Sequence, residues 1–307
     1  MELNLKLSEI LRFLKKTKLF EQESIGRANE EEIIIRGFSS IYESKLNTIS
    51  WMETQSFDWS TIKSSAIICS VNAKIPDDED IKFIPVENPR DTFAIVINKF
   101  YPKTCPTGIS ETAVIGENCE LGDKIYIGHN VVLGNNVRIG NNTKIHPNVV
   151  INDNVSIGSN CIIHSGVVIG AEGFGYHKNF DGEYFKFPHI GLVVIEDNVE
   201  VGSNTCIARG KLTNTIIKKN VKIGNLNHIS HDVTIYENTM VTHQTHLGGN
   251  TRIMQNSWIA PGVILKTGIS IGEDALVGMG AVVIRDVNPG DVVAGVPAKP
   301  LQKKEKS

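Results

Sequence analysis

The sequence predicts a parallel β-helix preceded by a separate, smaller α+β domain, and three observations carry that prediction. From Ile109 an aliphatic residue falls at every sixth position, through Ile115, Leu121, Ile127, Leu133, Ile139 and Ile145 to Ile169. Two residues before each from the second onward sits a small or β-branched one, such as Ala113, Cys119, Val131, Val137 and Thr143. The residue just after is often glycine: Gly116, Gly122, Gly128, Gly134, Gly140, Gly158 and Gly170. A period of six fits neither a helix face nor a free alternating strand, so it marks a repeat architecture. Each hexad supplies one short strand and one turn, and three hexads close a triangular coil, so residues 18 apart stack. No coil can bury its own core, and stability comes from stacking neighbours. Glycine after the aliphatic residue suits a corner that needs positive φ or close approach.

Composition bounds the function. A chain of 307 residues has room for two domains and a sizeable core. A net charge of −3 weighs against a nucleic-acid binder. No apolar run reaches the length of a membrane span and the first residues lack a signal peptide's pattern, so a cytoplasmic protein is expected. The five cysteines show no pairing or metal spacing, and Cys119 and Cys161 fall at inward positions of the repeat.

Residues 1–104 lack the six-residue period and are expected to form the separate domain. Leu7, Ile10, Leu11 and Leu14 recur at helical spacing behind Asn4 as the candidate cap. Short β-rich runs follow at Ile33–Ile35, Ser65–Ile68 and Phe83–Val86, and Asn88-Pro89-Arg90-Asp91 opens a second helix. Trp51, Phe57 and Trp59 lie within nine residues; they either stack a flat ligand such as a nucleobase or pack a small core. Tyr101–Gly108, with two prolines, is the expected link.

The β-helix domain is expected over 105–300, followed by a charged tail at 301–307, and its period fails twice. The first failure, 171–189, is an insertion rich in glycine and aromatics; Phe174, Tyr176 and Phe180 there need a neighbouring subunit, the coil beneath or a ligand. The second, 208–215, adds four residues before the register resumes at Ile217 and holds to Val283, for a total of between eight and nine coils. Stacking then gathers a patch. His231, two past inward Ile229, points outward with Gly249 beside it one coil on; His228 stacks on His246, and His243 lies beside Asn225. A metal site needs convergent ligands, whereas stacked outward histidines run parallel, so no metal is expected. A plain surface cluster and a general base remain. Gly249 favours the base, because a glycine there leaves a backbone N–H open to an oxyanion. His146 and His164 also stack, with no second feature nearby.

These residues resemble a family. Ile169-Gly-Ala-Glu-Gly-Phe-Gly-Tyr176, Ile207-Ala-Arg-Gly210, His228-Ile-Ser-His-Asp-Val233 and Asn88-Pro-Arg-Asp-Thr-Phe-Ala94 are similar to motifs of the hexapeptide-repeat acyltransferases. Among these, the UDP-3-O-acyl-glucosamine N-acyltransferases of lipid A synthesis share the domain order. The resemblance implies a left-handed β-helix, an exception to the usual crossover hand, and a homotrimer. It also implies His231 as general base, Gly249 as oxyanion donor, and Trp51 and Phe57 flanking a nucleobase. Asp232 orients the imidazole or the sugar, and Asn225, His228, His246, Phe174 and Tyr176 are the further candidates for substrate binding.

Departures shift the expected substrate. Where that family ends in a helical extension, Gly278–Val287 and Val293–Pro300 resemble the ending of acyl-CoA-dependent acetyltransferases. Ala208 stands where the family motif carries an acid, and Thr54 where it carries an Asn. The expected reaction is therefore transfer of a short acyl group from acyl-CoA, a cosubstrate and not a resident cofactor, to a dTDP-linked amino-dideoxyhexose for a surface polysaccharide. Gly249, Arg285 and Lys299 would contact the coenzyme. The lipid A step with an acyl carrier protein is the alternative, and a non-catalytic structural or binding trimer is the alternative of another class.

Overall fold

The computed structural model describes residues 3–20, 24, 29–53, 58–76, 80–101 and 106–301. The chain divides into two compact units, Met1–Cys105 and Pro106–Ser307.

In the first unit, strands Gly37–Phe38, Thr48–Met52, Ala66–Ser70 and Lys82–Val86 form one sheet in sequence order, every pairing parallel. Helix α1, Leu7–Lys16, buries Leu7, Ile10, Leu11 and Leu14, the four residues at helical spacing. They share a core with Ile68 and Ile84 of the sheet and Phe93 and Val96 of helix α2, Pro89–Phe100. The cap of α1 is Lys6, whose N–H reaches Glu9 Oε1 at 3.4 Å; Asn4 lies two residues too early. Asn88 caps α2 by accepting the Asp91 N–H at 3.3 Å, ahead of a proline that has no N–H to leave unpaired.

The second unit is the β-helix. Its three faces are an 11-stranded, a 9-stranded and an 8-stranded sheet. Neighbouring coils pair in parallel with equivalent hexads aligned, as Ile127 with Ile145 and His228 with His246. The inward column Ile127, Ile145, Ile163, Val201 is fully or almost fully buried, and Cys161 packs within the same core. Cys69, Cys119, Cys161 and Cys206 are all free thiols. The 11-stranded face closes with Lys299–Pro300 running antiparallel to Val292–Ala294.

The turns correct one expectation. Of the glycines after the aliphatic residue only Gly170 has positive φ, 85°; elsewhere it falls on residues such as Asn118, Asn130, Asn136 and Asn142, with φ of 54–57°. Asparagine tolerates this region through local hydrogen bonding. The glycines answer to close approach instead: a Cβ on Gly116 would sit 2.6 Å from the backbone carbon of Gly134 one coil up. Side chains at the same corner stitch coils together, as when Asp153 Oδ1 accepts the Asn135 N–H at 2.7 Å.

The insertion leaves the stack as a hairpin, Tyr176–Lys178 against Tyr184–Lys186. Phe174 is 91% exposed, and Phe180 and Tyr184 project outward as well. Substituting Ile145→Ala, in the middle of the inward column, should lower the free energy of urea unfolding by ~2–5 kcal/mol. Asn136→Ala at a positive-φ corner should cost about 1–2 kcal/mol, so the two melts separate core burial from turn strain.

Candidate active site

The site forms where the left-handed turn after Ile229 meets the two irregular segments of the β-helix. Asp232 has φ of 58°, and this turns its side chain back toward its neighbour. As a result His231 Nδ1 lies 2.9 Å from Asp232 Oδ2, although adjacent residues of an extended strand face apart. A carboxylate only accepts, so the imidazole donates Nδ1–H and its Nε2 carries the lone pair. Asp232 is held by more than His231. The four-residue break at 208–215 curls over it: the Lys211 N–H, the Thr213 N–H and the Thr213 hydroxyl all reach Oδ1, at 3.0, 3.3 and 2.7 Å. The Thr215 hydroxyl accepts the Asp232 N–H at 3.0 Å. Burial pushes the Asp232 carboxyl up, but donation from His231, Thr213 and Lys211 outweighs it and its pKa lies below the ordinary carboxylate range.

Gly249 lies against the other side of the ring. A Cβ there would stand 2.6 Å from His231 Cε1 and 2.8 Å from Nε2. Elsewhere on the corner this position bears a side chain that caps the coil below, as Asp153 does for Asn135; at Gly249 that space belongs to the imidazole. Among the described residues the Gly249 N–H has no acceptor. His231 keeps a side-chain exposure of 20%, enough for access, while Asp232 keeps 8%.

The remaining histidines surround this centre in different ways. His228 and His246 stack with centroids 5.1 Å apart, and burial, then the neighbouring ring, pushes His228 below the ordinary imidazole range. His243 Nδ1 accepts the Asn225 N–H at 3.0 Å, so this pair serves coil stacking. His146 and His164 stack on the surface, with His164 paired to Glu200. Four further contributors carry little or no sequence signal. His189, at the end of the insertion, meets the His231 ring edge-on at 5.2 Å. Lys211 and Thr213 sit in a stretch legible only as a break in period. Buried Asn227 binds the strands beneath, donating to Gly224 and Thr242 and accepting from Thr245; its polarity at an inward position was the available clue. Among the described residues no group of three His, Cys, Asp or Glu side chains converges as metal ligands do, and no helix is long and apolar enough to cross a membrane.

The other sequence candidates lie elsewhere. Trp51 is half-buried against the first unit's core, 6.5 Å from the Phe93 ring, and lines a cleft of about 460 Å³ with Ser39, Tyr42 and Arg90. Thr54, Phe57 and the tail at 302–307 lie outside the described residues. Phe174 and Tyr176 pack on each other at 5.1 Å and project from the insertion. Arg285 and Lys299 are exposed near the closing end of the β-helix, away from the His231 coil.

Comparison with known proteins agrees with this architecture. The family described as Bacterial transferase hexapeptide (six repeats) matches residues 112–143, 136–171 and 250–285, the repeat of a left-handed β-helix. The UDP-3-O-acylglucosamine N-acyltransferase of Methylacidiphilum infernorum is 33% identical over 292 residues, covering 89% of this chain and 83% of that protein. UDP-3-O-acylglucosamine N-acyltransferase 2 of Legionella pneumophila is 32% identical over 42% of this chain, a match that spans only 38% of the Legionella protein. The UDP-N-acetylglucosamine acyltransferase of Francisella novicida superposes with a TM-score of 0.58 at 28% identity, over 63% of this chain and 70% of that one.

These findings overturn the dTDP-linked amino-dideoxyhexose expected above. The relatives are named for UDP-linked glucosamine, and the likeness to the Methylacidiphilum protein runs through most of both chains. The physical reason lies in the segment that suggested otherwise. Val293–Pro300 serves as a closing hairpin, with Val293 buried in the core and the Leu301 N–H bonded to Val292 O at 2.7 Å. Sealing the last coil is reason enough for its pattern, which by itself selects no sugar.

Because the Asp232 carboxylate is favoured in the fold, its stabilising contribution is present above the ordinary carboxylate range and disappears as pH falls through its depressed pKa. Asp232→Asn should therefore be less stable than the unaltered chain near neutrality. The gap in urea midpoint should close on acidification below the ordinary carboxylate range; a gap independent of pH would contradict this.

Proposed function

We propose a function from one premise: the chain belongs to the UDP-3-O-acylglucosamine N-acyltransferase family. On this reading it transfers a hydroxyacyl group from a thioester to the glucosamine amine of a UDP-3-O-acylglucosamine. The observation that carries it is the His231 imidazole, held by Asp232 at Nδ1 and flanked at Nε2 by Gly249.

The chemistry follows from these three residues. The amine lone pair attacks the thioester carbonyl carbon while its proton passes to His231 Nε2. The carbonyl π electrons move to oxygen, and the Gly249 N–H stabilises the resulting oxyanion. Collapse re-forms the carbonyl and breaks the C–S bond, and the proton on His231 goes to the departing sulfur. The products are an amide and a thiol. Asp232 keeps the imidazole in the tautomer that can accept and stabilises its charged form.

The donor in this reading is an acyl carrier protein; acyl-CoA, the expectation from the sequence, offers the same thioester arm and is the comparison in the assay. His228 and His246, stacked on the adjoining strands, are proposed to contact the substrate. The Trp51 cleft is proposed to take the uracil. A homotrimer in the cytoplasm belongs to the same proposal, supported by the outward column Val114, Val132, Val150 and Val168 on the nine-stranded face. Val114 is 61% exposed, more apolar surface than a solvated sheet face needs.

The test is transfer from 3-hydroxyacyl-carrier protein, and separately from acyl-CoA, to UDP-3-O-acylglucosamine. Turnover should be seen with the carrier protein and should fall about 10²–10⁴-fold in His231→Ala. Gly249→Ala should also lose most turnover, because the new methyl group displaces the ring. No transfer from either donor, or full activity in His231→Ala, would overturn the reading.

A further inference from the structure

His189 is the one buried imidazole that this mechanism does not use. It is 3% exposed, and its Nδ1–H donates to Phe187 O at 3.0 Å. In a neutral imidazole the other nitrogen is then an acceptor. That nitrogen, Nε2, is buried and has no hydrogen-bond partner. A buried acceptor left unpaired is costly, and a ligand N–H that reached it would remove the cost.

Its position gives the lone pair a use. The His189 and His231 rings meet at 68° with centroids 5.2 Å apart. Gly173 lies over both: a Cβ there would stand 2.8 Å from His189 Nε2 and 3.3 Å from His231 Cδ2. A Cβ on Gly175 would stand 2.7 Å from His189 Cε1. Gly249 borders the Cε1 edge of His231 and Gly173 its Cδ2 edge, and Gly173 also faces His189 Nε2. The Gly173 and Gly175 backbone lies against the His189 ring, and Phe174 between them is 91% exposed.

We infer that His189 accepts the second hydrogen of the attacking amine and so selects an amine over a hydroxyl nucleophile. The inference rests on the acyl-transfer reading above. A primary amine carries two hydrogens and one lone pair. One hydrogen leaves to His231 as the C–N bond forms; the other stays on nitrogen in the product amide. Holding the second on His189 aims the lone pair at the thioester carbon. A hydroxyl has one hydrogen and cannot engage both rings. Burial, chiefly, pushes His189 below the ordinary imidazole range, which keeps it neutral with Nε2 bare; His231 and Lys211 act in the same direction, and Phe187 O and Asp232 oppose it.

Two substitutions separate this role from simple support of the insertion. His189→Asn keeps an amide near Nδ1 for Phe187 O but removes the acceptor at Nε2; His189→Gln puts an amide oxygen near Nε2. With UDP-3-O-acylglucosamine, kcat should fall about tenfold or more in H189N and stay within about threefold in H189Q. The KM for the thioester donor and the thermal midpoint should be unchanged in both. The analogue bearing a 2-hydroxyl should inhibit the unaltered enzyme and both variants equally. Equal losses in the two variants, no loss in either, or a weaker hydroxyl analogue in H189N would overturn the inference while leaving acyl transfer intact. No turnover by the unaltered enzyme would overturn the acyl-transfer reading, and this inference with it.

Discussion

Everything in the β-helix depends on the coil-to-coil register. The inward side chains of one coil rest on those of the next, and the backbone N–H groups of one coil bond to the carbonyls of its neighbour, as Ile162 N–H to Val199 O and His228 N–H to Thr245 O. A slip of one residue would turn each aliphatic side chain to solvent, so burial fixes the register strongly. The register in turn fixes the site: Gly249 can border His231 only because their hexads are stacked.

The site is built by breaking this regularity in a few places. A capping side chain is missing at Gly249, which opens room for an imidazole. An added loop at 208–215 brings Lys211 and Thr213 onto the Asp232 carboxylate. The insertion ends at His189, whose ring meets the imidazole edge-on. The repetitive core supplies rigidity, and each departure from the repeat supplies one polar group that the repeat could not place. Asn227, with both amide ends satisfied in the core below, keeps the strands under the histidines from shifting.

How much of this the sequence disclosed follows the same division. The inward columns were legible because burial demands one residue type at a fixed interval, as at Ile127 and Ile145. Adjacency of His231 and Gly249 was legible because the interval converts directly into distance. The conformation of the turns was misassigned to glycine, although asparagines at 130, 136, 142 and 148 repeat with the same period. His189 and Thr213 gave no signal, since each lies outside the period and acts through a loop whose path the sequence does not specify. Val293–Pro300 seals the last coil, and the sugar expected from its pattern did not survive comparison with the relatives. In the first unit, helix spacing and the Asn88 cap were readable from local chemistry, whereas the all-parallel order of the sheet depends on pairings between distant segments.

The most direct measurement is long-range proton–nitrogen NMR of the His231 imidazole in the unaltered protein and in Asp232→Ala. The site as built requires the neutral ring to carry its proton on Nδ1 and leave Nε2 bare, with that preference lost when the carboxylate is removed. A neutral ring protonated on Nε2, or the same tautomer in both proteins, would contradict the arrangement on which the chemistry rests.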